Sequence, residues 1–392
     1  MTGRLSKTER LAVLREVEAD RVFAEEIIAR SAGDGWWPNG PIELHRLPLD
    51  DDPLIEAWTA YALEAETSSV WETLGDKLVQ LRFPIRSGIS AENAYRAATL
   101  KGQKPPDDYP LTLEDPEGLS LTLHPSLAGK IPVLAVRNRT DFENLVRALT
   151  ARNEPVEVPE AMGACLVNGL NNWDRIESLR LRWESEEPAS RVSATWGEEF
   201  RRIIPQTTLY KDRLIVLSHG PYSGVAAEHT GMAGDEWERL SFDLRLEHEC
   251  VHALSLKIFG SMRHDLLEEL VADWVALIRV FGRYRADLAL RFLGLEAFPD
   301  FRAGGRLEVY RGSPPVSDGA FAVMQRLAWE VITALERISE TPSISLDAND
   351  VFGRVTVALL TMPAEAMVGV GGEKRVLARV ENLEGALAHT AG

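Results

Sequence analysis

LEHECVHALSLKIFG, residues 246–260, and RHDLLEELVADWVALIRVFG, residues 263–282, decide how this chain is read. The first lies in a helical pattern running from about Asp235 to Phe259, and its two histidines, His248 and His252, are four residues apart. On an α-helix that spacing is a little over one turn and about 6 Å of rise, so both rings project from one face and converge on one ion. Neutral imidazole is a favoured zinc ligand, and a catalytic zinc takes three protein ligands with a fourth position left to water. A third ligand must therefore come from another element.

The second stretch supplies it. Its apolar stripe, Leu266, Leu267, Leu270, Val271, Trp274, Val275 and Ile278, predicts a helix from about Asp265 to Gly282, with Glu269 and Asp273 beside the stripe and one turn apart. Glu269 is the expected third ligand, because Asp273 then points the same way and accepts a hydrogen bond from the distal N–H of a ligand histidine, fixing its tautomer. Glu268 is the alternative ligand. Glu249 projects about 100° around the helix from His248, away from a shared ligand position and beside the water. There it serves as general base and then general acid. Cys250, between the histidines, reads as a small buried apolar residue rather than a thiolate ligand.

Two other readings of these residues stay open. Without a metal, the histidines would be helix-face side chains satisfied by Asp243, Glu247 and Glu249. With iron, two histidines and a carboxylate form the facial set of non-haem oxygenases, and Glu249-x-x-His252 is half of a di-iron bundle motif, although no second ExxH with a matching inward carboxylate occurs in the chain. Zinc is the expected metal.

Over roughly residues 214–282 the chain resembles the gluzincin zinc metallopeptidases, in which HExxH on one helix is completed by a Glu from an ExxxD motif on the next. The resemblance implies His248, His252 and Glu269 as ligands, Glu249 as catalytic base and Asp273 as the residue orienting a ligand. It also implies that LIVLS, residues 214–218, is an edge strand along which an extended peptide aligns through backbone hydrogen bonds. The chain departs from that group in carrying Glu268 where Asn often precedes the ligand, in a short spacer from His252 to Glu269, and in having no secretory or pro-segment signal. The wider pattern, including MGACLVNGLNNWDRI and GRYRADLALRFLGLE, is similar to a set of bacterial proteins that carry HExxH.

Outward from the motif, helical spacing recurs at 5–30, 52–65, 69–82 and 91–100, the last with Ser90 as cap. LSLTLH and IPVLAV read as strands, and TDFENLVRALTA as a helix capped by Thr140 or Asp141. Residues 160–175, EAMGACLVNGLNNWDR, fit neither periodicity and read as a structural turn, with a functional loop as the alternative. Further helices are expected near 320–339 and 350–360. The Pro-, Gly- and Asp-rich stretch 102–119 marks a junction. The expected organisation is a predominantly helical α+β chain: a helical region 1–105, a mixed α/β portion 106–234 and a helical zincin-like part 235–392.

The 392 residues are 45% hydrophobic, enough for a full core, and 60 acidic against 43 basic residues leave a net charge of -17, which disfavours nucleic acid and anionic membranes as partners. Ten tryptophans are scattered rather than interleaved with basic residues, as core packing requires. No signal-peptide core or membrane span is apparent, and Cys165 and Cys250 form no disulfide framework or CxxC pair, so a cytoplasmic enzyme is expected. Its substrate would be a peptide or other small amide, its cofactor Zn2+; the alternatives are a non-hydrolytic metalloenzyme of non-haem iron or lyase type in a small-molecule or peptide-modification pathway, and a non-catalytic binding protein with a structural metal. The group that stabilises the oxyanion is sought among His219, Arg263, His264, Arg283, Tyr284 and Tyr310.

Overall fold

The computed structural model describes residues 5–17, 19–30, 47–105, 111–187, 191–263, 265–341 and 349–390. Its helices, in chain order, are α1 (Lys7–Glu16), α2 (Arg21–Arg30), α3 (Leu54–Ala65), α4 (Val70–Lys77), α5 (Asn93–Lys101), α6 (Arg139–Thr150), α7 (Trp173–Ser185), α8 (Trp196–Ile203), α9 (Gly234–Phe259), α10 (Leu266–Phe281), α11 (Ala286–Leu293), α12 (Asp318–Ser339), α13 (Asn349–Leu360) and α14 (Gly372–Thr390). Four strands, β1 (Leu119–Ser126), β2 (Gly129–Val136), β3 (Ala164–Asn171) and β4 (Lys211–Ser218), form one sheet. The fold is a predominantly helical α+β fold, as the hydrophobic spacing predicts. Among the described residues no helix is long and apolar enough to cross a membrane.

The chain divides into two compact units, residues 51–219 and residues 1–50 joined by 220–392. These limits differ from the three consecutive portions expected from composition. The Pro-rich stretch lies within the sheet unit: the carboxylate of the buried Asp141 accepts the backbone N–H of Glu114 and of Asp115, both at 2.7 Å, tying residues 111–118 to α6. Residues 106–110 of that stretch lie outside the described residues. Helical periodicity says that a segment is a helix, not which body it joins; α3 and α4 pack on the sheet, α1 and α2 in the other unit.

In the sheet unit the strand order is β1-β2-β4-β3, with β2 and β4 parallel and the other pairs antiparallel. LIVLS is therefore a central strand, paired on both sides, and not the edge strand expected from the resemblance; its backbone has no free side for a peptide. The run itself carries the reason. Leu214, Ile215, Val216 and Leu217 are all fully buried, and an apolar run without alternation belongs to a strand covered on both faces. Residues 164–171, expected as a turn, form β3, whose alternation is broken by a bulge between Asn168 and Leu170. Residues 172–175, at the end of the same expected turn, cap and open α7: the Asn172 side chain accepts from the Arg175 N–H. The caps also shift: α6 starts from Asn138 rather than Thr140 or Asp141, and α5 from Glu92, with Ser90 in the preceding turn.

The other unit is helical and built around α9 and α10, which pack along each other. The α10 stripe is buried against α11, α12 and α13; the Trp274 ring stacks on Phe352 with centroids 5.3 Å apart while its Nε1–H donates to Ser339 Oγ at 2.8 Å. Asp265 caps α10 by accepting from the Glu268 N–H, and Gly260 and Gly282 close α9 and α10 in the left-handed conformation that glycine favours. Two helices fixed side by side are what the site requires.

Candidate metal centre

α9 contributes His248 and His252, both 7% exposed, with their Nε2 atoms facing each other at 3.1 Å. α10 contributes Glu269, one carboxylate oxygen 3.3 Å from His248 Nε2 and the other 3.4 Å from His252 Nε2. Bonds of about 2.0–2.1 Å arranged tetrahedrally put neighbouring ligand atoms about 3.3 Å apart, so this triangle has the size of a zinc site. Among the described residues these three form a group able to hold a metal ion. The preference for Glu269 over Glu268 has a geometric basis: the fully buried Glu268 lies on the far side of His252, its Oε1 3.3 Å from Nδ1.

Both imidazoles thus have a carboxylate behind them. His248 Nδ1 is hydrogen-bonded to Asp273 Oδ1 at 2.9 Å, the contact expected from the ExxxD spacing, whereas His252 Nδ1 faces Glu268 Oε1 at 3.3 Å as a charge contact without hydrogen-bond alignment. Such partners hold the ring orientation and raise its basicity toward a metal. Asp273 is itself held: Tyr222 Oη donates to its Oδ1 at 2.6 Å, and Arg306 forms an ion pair with its Oδ2. The Arg306 guanidinium also donates to Tyr222 Oη at 3.1 Å and Ser223 Oγ at 2.9 Å. Glu268 is anchored by the Arg263 backbone N–H at 2.6 Å.

Charge follows from these contacts. Burial opposes protonation of His248, but its hydrogen bonds with Asp273 and Glu269 outweigh that and push the imidazole up to about 10. His252 is raised in the same way, with burial outweighed chiefly by Glu268 and Glu269. Burial works against an ionised Glu269 and an ionised Asp273 as well, yet the imidazoles, together with Arg306, hold both carboxyls below the usual range. The cluster is therefore built to surround positive charge, and a dication entering it displaces protons.

The remaining expected residues fall in different places. Glu249 is half-buried on α9, and its carboxylate makes no hydrogen bond or ion pair among the described residues. Tyr310 joins the site, its hydroxyl donating to Glu269 at 2.8 Å; burial raises its pKa well above the ordinary phenol value, so it stays a donor at neutral pH. Tyr284 is buried with its hydroxyl unbonded among the described residues, and Arg283 is exposed. Arg263 pairs with Asp265 and donates to the carbonyls of Leu360 and Met362, a structural arginine. His219 closes the sheet unit after β4, and His264 lies outside the described residues. Cys250 is buried, as expected. Neither Tyr222 nor Arg306 lies in a motif, and the only signal for either in the sequence is the position of Tyr222 in the turn before α9.

Beside the cluster is a cavity of about 490 Å³ whose wall includes Glu269 and Tyr310, with Ile27, Leu267, Met324 and Leu327 as apolar lining. The charged groups on its wall are engaged elsewhere: Arg311 with Asp318, Glu365 with Arg10 and Arg30 with the Pro314 carbonyl. Asp273→Asn is expected to weaken binding of a divalent metal by about 10- to 100-fold, through the loss of His248 orientation, with a chelating-dye competition as the readout. Unchanged affinity in a variant that keeps its melting temperature would remove Asp273 from the site.

The model of one family, described as a family of unknown function (DUF7005), matches residues 13–369. No curated protein and no solved structure matches the chain.

Proposed function

The chain belongs to that DUF7005 family, whose description carries no activity, and from its own side chains we propose that it is a zinc-dependent hydrolase cleaving a peptide or other amide bond. The observation that carries this reading is the triangle of two Nε2 atoms and one carboxylate, with edges of 3.1, 3.3 and 3.4 Å, reinforced behind each histidine by a second carboxylate. Three ligands leave a tetrahedral position for water, whereas a purely structural zinc is closed by four protein ligands.

Zinc bound there supplies Lewis acidity and lowers the pKa of water toward about 7. Glu249, on the same helix and without a competing partner among the described residues, takes the proton from the attacking water and returns it to the leaving nitrogen. Tyr310, whose single O–H donates to the ligand carboxylate at 2.8 Å, would turn from Glu269 to donate to the developing oxyanion. The apolar lining beside it excludes water and receives an apolar part of the substrate.

Mass spectrometry of a synthetic peptide mixture incubated with the zinc-loaded protein tests the proposal. New termini are expected, lost on chelation and restored by stoichiometric zinc. Intact peptides under all conditions, with zinc bound, would count against amide hydrolysis.

A further inference from the structure

The sheet unit has a cavity of its own, about 530 Å³, between α5, the end of α6 and β3. Its lining contains no Asp or Glu but two arginines, Arg96 and Arg152, both solvent-facing, in a chain where acids outnumber bases 60 to 43. The acids next to it in sequence are held by other groups, although Glu154, bonded to the lining residue Ser90, lies close enough to Arg152 for the two charges to attract. Glu92 pairs with Arg86 at 2.5 Å, and Glu154 accepts the N–H groups of Gly88 and Ser90 at 2.8 and 2.9 Å. With no carboxylate on the wall itself, Arg96, and Arg152 partly offset by Glu154, leave a net positive lining that selects for negative charge.

The wall is also held in a costly shape. Arg152 and Asn153 follow each other in the left-handed region, at φ 54° and 59°, a conformation non-glycine residues rarely adopt and one that recurs at ligand clamps. Asn153 fixes it from below: fully buried, its Nδ2 donates to the carbonyls of Gln80 and Phe83 at 3.1 and 2.8 Å and its Oδ1 accepts from Tyr95 Oη at 3.2 Å. On β3 the bulge puts Gly169 at φ 80°, where a Cβ would meet nothing within 4 Å, so the cavity reaches the strand backbone itself. Gln80, 5% exposed, donates from Nε2 to the Asn171 carbonyl at 3.1 Å and leaves Oε1 buried without a hydrogen-bond partner among the described residues.

We infer that this cavity binds a small organic oxyanion, a carboxylate or phosphate that also carries a hydroxyl or amine donor. Arg96 and Arg152 take the anion, Ser90 and Asn168 on the wall take the donor, and Leu100, Leu149 and Leu166 face the ligand's carbon skeleton. The cavity lies in the sheet unit and the metal centre in the other unit.

Isothermal titration of the full chain with glycerol phosphate, malate and glycerol tests it. Saturable binding of at least one anion and none of glycerol is expected, with whichever anion binds naming the group. Arg96→Ala with Arg152→Ala should weaken binding at least about tenfold with unchanged circular dichroism, since both side chains are exposed. His252→Ala should bind the anion like the unaltered chain. Failure of both anions to bind, equal binding of glycerol, or an unaffected double variant would overturn the inference.

Discussion

His252→Ala is expected to cost about a hundred- to a thousandfold in zinc affinity and, with it, any turnover. Apparent zinc-binding energies of roughly 10–16 kcal/mol spread over four ligands come to about 2.5–4 kcal/mol per ligand. The substitution does further harm here, because Glu268 is fully buried with its Oε1 3.3 Å from His252 Nδ1 and would lose the ring that faces it. Competition against a chelating dye measures the loss, and a thermal melt of the metal-free variant reports the second cost. A variant that bound zinc as tightly as the unaltered chain would show that the histidine pair is not the metal site.

Glu249→Gln separates chemistry from binding. The residue lies between the two ligand histidines in sequence but turns about 100° away from His248, so the amide should leave zinc in place. It should lower turnover by about a hundred- to ten-thousandfold, the usual scale for removing a positioned general base. Initial rates on a peptide cleaved by the unaltered chain, alongside zinc content, are the measurement. Full activity at full zinc occupancy would mean that another group moves the proton.

The metal helices were legible because two periodicities coincide in them: His248 and His252 share a helix face, and the α10 stripe leaves Glu269 and Asp273 on its flank facing that pair. What was illegible depends on contacts across the chain. Glu268 reads as a rival ligand until α10 is rotated into place, when it proves to lie behind His252. Arg306, far from the motif in sequence, reaches Asp273 only through the packed unit. In the sheet, four buried apolar residues in a row argued for a central β4, and that signal should have prevailed over the edge-strand role implied by resemblance. β3 escaped because the Gly169 bulge shifts its register and breaks the period-two pattern.

The most direct test of the account is the metal itself, in protein purified without added ions and then crystallised with anomalous data at the zinc edge. One zinc per chain is expected, held by Nε2 of His248, Nε2 of His252 and the Glu269 carboxylate, with water in the remaining position. Iron in that place, or zinc closed by a fourth protein ligand, would contradict it.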